Sequence, residues 1–321
     1  MSGTRQHGAA VCMCGPSRRV HRAGPPAPSV GDTGRVSTST SGVLVLLGAP
    51  LGNPEDASSR LRTELGLADV IAAEDTRRLR RLLGELEVVP GAHITSYFEA
   101  NEAGRTETLL EQLYDGKRVA VITDGGMPSV SDPGFRLVRA AIDAGIPVTC
   151  APGASAVTTA LALSGMPCDR FCFEGFAPRK DGERRRLFAE LAEERRTMVF
   201  FESPRRVAET LRAMAEAFGA DRPAALCREL TKTHEEVRRG GLGGLAEGAE
   251  ADPPRGEITL VVSGWTGPDA SEATPEAMAA AVAALEAAGT DRKAAMKEVS
   301  GRFGVSRRDV YDAVLKAANP E

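Results

Sequence analysis

Thr123-Asp124-Gly125-Gly126-Met127-Pro128 places an acid, two glycines and a proline directly behind the apolar run Val119-Ala120-Val121-Ile122. In open α/β sheets, ligands occupy the crevice beyond the carboxyl ends of strands, where glycine lets the backbone approach closely and offer its N–H groups. The stretch therefore reads as a ligand loop, with an ordinary strand-turn-helix connection as the plainer alternative. Other acids stand at similar edges: Glu74-Asp75 closes the apolar run Val70 to Ala73, and Asp132 follows the glycine loop. A carboxylate there can take a proton from a weak nucleophile. It can equally cap the next helix, and for Glu74 and Asp75 both readings stand. Ser131-Asp132-Pro133 predicts a helix start with Asp132 as N-cap and Pro133 at the first helical position. Phe135, Leu137, Val138, Ala141 and Ile142 would form that helix's apolar face.

These loops need elements to hold them. Val43 to Leu47 predicts a buried strand that turns at once through Gly48-Ala49-Pro50-Leu51-Gly52-Asn53. Asp56 or Ser58 can cap the next helix, expected to carry Leu61, Leu65 and Leu67 inward. His93 to Tyr97 is a strand, Asn101 to Tyr114 a helix, and Pro147 to Cys150 a strand entering a further glycine loop, Ala151 to Ala156. Strands alternating with helices predict a mostly parallel α/β unit over 42–165. Beyond it, Phe171 to Phe176, Thr197 to Phe201, Ala224 to Arg228, Glu235 to Arg239 and Glu257 to Val262 arrive with fewer crossover helices. They predict a largely antiparallel α+β unit over 166–265, closing a cleft against the first.

Residues 1–41 hold five arginines, one acid and little to bury, which predicts a disordered tail. Residues 266–321 read as a linker followed by a helix-turn-helix-like segment, in which Ser306 caps the last helix. From Asp291 to Lys316 there are seven basic and four acidic residues, so the segment is locally positive in a chain of net charge −4. A solvated helical hairpin and a nucleic-acid contact are both open for it. No run of 18 apolar residues exists to span a membrane. The six cysteines lack zinc-type pairing, His93 and His234 are isolated, and no metal is expected. Cysteines in or beside apolar runs suit a reducing, cytoplasmic setting.

The second half carries Phe173-Glu174-Gly175-Phe176-Ala177-Pro178-Arg179-Lys180, Phe201-Glu202-Ser203-Pro204-Arg205-Arg206, Arg228 to Glu236 and Arg255-Gly256-Glu257. With the four loops of the first half, these motifs resemble the ribosomal RNA small-subunit methyltransferase I family, a branch of the tetrapyrrole (corrin/porphyrin) methylase fold. The resemblance runs from about residue 42 to 318. It implies S-adenosylmethionine-dependent 2′-O-methylation of a cytidine in 16S rRNA, acting on that RNA or on the small subunit, by a homodimer. By resemblance, Pro50, Leu51, Gly52, Asn53, Asp124, Gly126, Met127, Pro128, Val130, Ser155 and Ala156 line the cofactor pocket. Phe201, Leu230 and the segment before Gly256 close it from the second unit. Glu74, Asp75 and Asp132 are the candidates for general base, and Arg77, Arg179, Lys180, Arg205 and Lys232 for RNA phosphate contacts. The motifs depart from the family pattern where Ala49 and Met127 replace threonines, Leu51 an isoleucine, Gly125 an alanine, Ser129 a glycine and Arg205 a histidine. A methyltransferase for a small tetrapyrrole and a non-catalytic RNA-binding module are the competing readings.

Overall fold

Four short apolar runs, none able to bury itself alone, align with a more polar edge strand as one parallel sheet. The computed structural model describes residues 42–267 and 273–318; the expected disordered tail and part of the linker lie outside the described residues. Strands β1 (Val43–Leu47), β2 (Val70–Ala73), β3 (His93–Ser96), β4 (Arg118–Ile122) and β5 (Val148–Ala151) run in the order β3-β2-β4-β1-β5. Side chains alternate between the two covered faces. Val45, Leu47, Ile71 and Ala120 pack beneath α1 (Ser59–Leu67) and α2 (Thr76–Glu85). Leu44, Val70, Val119 and Val121 pack beneath α3 (Glu102–Tyr114) and α4 (Phe135–Asp143). The chain leaves β1 toward β2 on one side and leaves β4 toward β5 on the other, so the connections diverge between these neighbours. That divergence opens a crevice above their carboxyl ends.

Three local expectations need correction. Helix α4 starts at Phe135 with Gly134 at φ 139° as its cap, so Asp132 and Pro133 belong to the preceding loop. Glu102, buried and fixed by the Tyr97 hydroxyl at 3.1 Å, accepts the Gly134 N–H at 3.0 Å and sets this late start. Phe135 and Ile142 are 68% and 58% exposed and lie off the buried face, which Leu137 and Ala141 supply. Leu67 likewise points outward at 60% exposure, whereas Leu61 and Leu65 are buried.

The second sheet orders β6 (Phe171–Phe176), β7 (Thr197–Glu202), β8 (Pro223–Arg228), β9 (Glu236–Gly241) and β10 (Ile258–Val262) as β6-β7-β10-β8-β9. Its β6-β7 pair is parallel and its other pairs antiparallel. One face is covered by α6 (Asp181–Leu191), α7 (Val207–Phe218) and α8 (Leu242–Ala251) around Phe188, Phe200 and Leu260. Each of these buried side chains contributes about 1.5–3 kcal/mol of transfer free energy. The opposite face is covered by α5 (Ala156–Ser164), whose Val157, Ala160 and Leu161 pack on Val199, Ala225 and Val261. Chain order places α5 with the first sheet; packing places it on the second.

After the linker, α9 (Pro275–Ala287), α10 (Arg292–Phe303) and α11 (Arg307–Ala318) share a small core of Met278, Val282, Ala295, Val299, Val310 and Ala313. Gly304, at φ 64°, ends α10. Ser306 and Asp309 exchange reciprocal bonds that start α11, with the Ser306 N–H donating to Asp309 at 2.9 Å and the Asp309 N–H to Ser306 Oγ at 3.2 Å. Among the described residues, no helix is long and apolar enough to cross a membrane.

Candidate active site

The floor of the crevice is main chain laced to main chain. Ala49 and Gly126 form an isolated antiparallel bridge, the Ala49 N–H donating at 2.8 Å and the Gly126 N–H returning at 3.0 Å. Gly48 donates to the Ala151 carbonyl at 2.9 Å. A Cβ on Gly48 would lie 2.5 Å from the Gly153 backbone nitrogen, and one on Gly153 would lie 2.5 Å from the Gly48 carbonyl. No residue other than glycine fits either place without moving the partner loop. Gly126 adopts φ 82°. Its polar backbone groups are taken by Ala49 and do not face the crevice bare, because two loops ending adjacent parallel strands satisfy each other first.

Above this floor, carboxylates converge. Glu74, at the end of β2, accepts the Asp124 N–H at 3.1 Å, and burial raises its carboxyl above the ordinary range. Asp124 faces Arg78 at 3.3 Å and is raised by burial despite that cation. Asp132 is pushed up to about 7, first by burial and then by the charge of Glu74. The Thr123 hydroxyl is buried near Asp132 without a well-aligned hydrogen bond. Ser129 and Ser131 hold φ 72° and 63°, strained for side chains of this type, and this pair bends the chain so that Asp132 enters the cavity. Asp75 behaves differently. It caps α2 through the Arg77 N–H at 2.8 Å and grips the Arg77 guanidinium at 2.7 Å, which holds its carboxyl well below the usual range. The capping alternative describes Asp75, and a carboxylate so stabilised is a poor proton acceptor.

Two adjoining cavities share Leu51, Glu74, Arg78, Asp124 and Glu257. One, of about 390 Å³, reaches Pro50, Gly52, Thr123 and Lys232. The other, of about 420 Å³, reaches Asp132 from the first sheet's loop and Ala156, Phe176, Phe201 and Pro204 from the side of the second sheet. Phe201 stands edge-on to Phe173 and Phe176, with ring centroids 4.8 Å and 5.7 Å away, and forms an apolar wall. Of the expected cofactor residues, Pro50, Leu51, Gly52, Asp124, Ala156 and Phe201 line these cavities. Asn53 instead caps the turn Pro54–Asp56, accepting the Glu55 N–H at 3.1 Å, and its own N–H donates to Thr231 Oγ1 at 3.3 Å. Leu230 is buried in the core under α5, and Met127 extends toward Gly48. Pro128 is buried, Val130 is exposed, and Ser155 begins α5 without a side-chain cap. Neither cavity is lined by Gly126, Met127, Pro128, Val130, Ser155 or Leu230.

Glu257 escaped the sequence reading. It lines both cavities and holds Lys232 at 3.1 Å, while Glu229 holds the same ammonium at 2.9 Å. The Lys232 stem also lies over Gly52, where a Cβ would meet its Cγ at 2.1 Å. Lys232 therefore ties the second sheet to the first loop and is already neutralised. The Arg255-Gly256-Glu257 motif was a visible signal, but the carboxylate's position depends on strand β10 reaching the cleft. Arg206 is similarly structural: it donates to the Ala177 and Pro178 carbonyls at 2.7 Å and 3.1 Å and pairs with buried Glu202 at 3.2 Å. Arg179 and Arg205 are exposed, whereas Lys180 pairs with Glu183 at 2.9 Å. Among the described residues, no group of histidine, cysteine and acidic side chains has the arrangement to hold a metal ion.

Comparison with known proteins places this geometry. Residues 43–246 match the family model described as Tetrapyrrole (Corrin/Porphyrin) Methylases. A Mycobacterium bovis protein named ribosomal RNA small subunit methyltransferase I is 53% identical over 279 residues, covering 87% of this chain and 96% of that one. This chain belongs to that family. The ribosomal RNA small subunit methyltransferase I of Halalkalibacterium halodurans is 38% identical over 278 residues, covering 84% and 94%. A cobalamin biosynthetic enzyme, cobalt precorrin-4 methyltransferase, superposes with a TM-score of 0.54 at 20% identity, covering 72% of this chain and 98% of that one, and shares the fold. As a ribosomal RNA small subunit methyltransferase I family member, the chain is a methyltransferase with the two-sheet tetrapyrrole-methylase architecture.

Proposed function

We propose that this methyltransferase uses S-adenosylmethionine to methylate the 2′-hydroxyl of a cytidine in 16S rRNA. The observation that carries the reading is the acid-lined crevice at the sheet's switch point, in a chain of this family. The cofactor supplies an electrophilic methyl group on a cationic sulfonium. The residues present suit such a group. Gly52 and Gly125 line the cavities without side-chain bulk, Glu74, Asp124, Asp132 and Glu257 favour positive charge, and the buried Thr123 hydroxyl offers a hydrogen bond. Phe176 and Phe201 exclude water from one side. In this reading the parallel sheet with its loops is one jaw of the cleft, and the second sheet, with α5 packed on it, is the other.

A ribose hydroxyl is a poor nucleophile and benefits from a positioned base. Asp132 takes that role here. It lines the cavity shared with Phe201 and Pro204, and with its carboxyl near 7 it is both ionised and basic around neutrality. Glu74 is committed to the Asp124 N–H and Asp75 to Arg77, which sets them behind Asp132. Arg179 and Arg205 are the remaining expected cations free to meet RNA phosphate. The protein acts in the cytoplasm as a homodimer in this reading. The test supplies labelled cofactor with small ribosomal subunits, free rRNA or a porphyrinoid as acceptor. Label should enter RNA as an alkali-resistant cytidine linkage; label in the porphyrinoid, or in no acceptor, overturns the reading.

A further inference from the structure

A groove of about 790 Å³ opens beside the cleft, between the turn that follows β7 and the loop that precedes β10. It shares Pro204 and Gly256 with the acid-lined cavity, so the two are continuous. Its charges are sorted. Glu250 is paired with Arg212, and Asp252 with Arg238 at 2.6 Å, so the groove's acids are neutralised by arginines beyond its lining. Arg228 is spent on Glu236 at 3.1 Å. Arg205 and Arg255 are exposed and, among the described residues, pair with no carboxylate. The loop that presents Arg255 is fixed: Arg228 Nε donates to the Arg255 carbonyl at 2.9 Å, and Arg238 donates to the Asp252 carbonyl at 3.2 Å. Gly256 follows at φ 85°, where a Cβ would strike the Glu229 carboxylate at 2.2 Å. Two unpaired guanidinium groups on opposite walls of one groove, one of them on a pinned loop, form a ready site for anionic oxygens.

We propose that Arg205 and Arg255 bind successive phosphates of the single RNA strand leading to or from the methylated nucleotide, the groove being that strand's path out of the cleft. This rests on the reading of the acceptor as RNA and deepens it. The acidic interior disfavours phosphate, so only a nucleoside can enter, and the flanking backbone must settle where free cations adjoin the opening. Pro204 marks the shared edge, and the Arg205 that departs from the family's histidine stands just outside it.

The test compares the unaltered protein with the double variants Arg205→Ala/Arg255→Ala and Arg205→Lys/Arg255→Lys. One assay is anisotropy of a labelled single-stranded RNA oligonucleotide across a salt series. The other is methyl transfer to small subunits, and calorimetry with S-adenosylmethionine serves as the folding control. The alanine pair should lower the slope of log affinity against log salt by about 1.4, at about 0.7 per phosphate contact. It should also raise KM for RNA, with the lysine pair restoring most of the loss. An unchanged salt slope, or a loss confined to kcat, overturns the groove. If the unaltered protein binds RNA with the expected slope but transfers no methyl group to it, the functional reading fails while the groove stands.

Discussion

Inside the cleft, Arg78 faces Asp124, and Lys232 is shared between Glu229 and Glu257; outside it, Arg179, Arg205 and Arg255 project with no carboxylate partner among the described residues. The interior keeps more acids than cations: Glu74, Asp75, Glu85, Asp124, Asp132, Glu202 and Glu257 line the two cavities against Arg78, Arg81 and Lys232. The rim keeps the free cations. The difference teaches that net charge is a poor guide to partners here. A chain of formal charge −4 can receive a cationic group in its cleft and a polyanion along its edge. What matters is which charges are already neutralised by neighbours.

The largest expected effect comes from breaking the interior. Asp132→Asn should slow methyl transfer at neutral pH by about 10²–10⁴-fold, the range for loss of a general base, while cofactor binding survives in calorimetry. In the unaltered protein, the rate should rise with pH until about 7 and then level off. Stability moves the opposite way. The folded carboxyl titrates near 7 and the unfolded one near 3.8, so both states are protonated below the lower value. As pH rises between the two, the folded state incurs the burial cost. The Asn variant should therefore match the parent in Tm near pH 4 and exceed it above pH 7. A pH-independent difference in Tm would contradict the burial of Asp132.

A smaller effect should follow from crowding the floor. Gly48→Val must displace the Gly153 backbone, and the overpacking should cost about 1–3 kcal/mol in denaturant unfolding and weaken cofactor binding. Gly244→Ala in α8, where a Cβ meets nothing within 4 Å, should instead gain about 0.4–1 kcal/mol. If both glycine variants unfold alike, the backbone contact does not hold the loops together.

The smallest effect should come from the rim cation that is not free. Arg77 is solvent-exposed and closed onto Asp75, so Arg77→Ala should leave the salt dependence of RNA binding where it was. A flattened salt slope would move the RNA path toward α2.

Much of this was legible along the chain. Most of the ten strands carry their own apolar run, with the edge strands β3 and β9 the exceptions, and β4 ends in its glycine loop as its sequence indicates. Local signals misled at Asp132-Pro133, which has the composition of a helix start. Glu102, thirty-two positions upstream of Gly134, holds that residue in place, and no local window contains that bond. Glu74 reaches Asp124 across a sequence separation of 50. Lys232 looked available for phosphate because its two acidic partners are recruited by a turn and a strand end. Side-chain availability is a tertiary property, whereas apolar periodicity is local, and the site departed from expectation where the former decided.

The backbone lacing of Gly48, Ala49, Gly126 and Gly153 bears on how such an enzyme can diverge. A floor made of main chain has few side chains to exchange, so selection on acceptor identity has little purchase there. Variation is left to the facing wall and its bordering turns, where Phe176, Phe201 and Arg205 stand. Ala49 and Met127 show the remaining freedom of such a platform: side chains on it can be exchanged while the main-chain bonds beneath them persist.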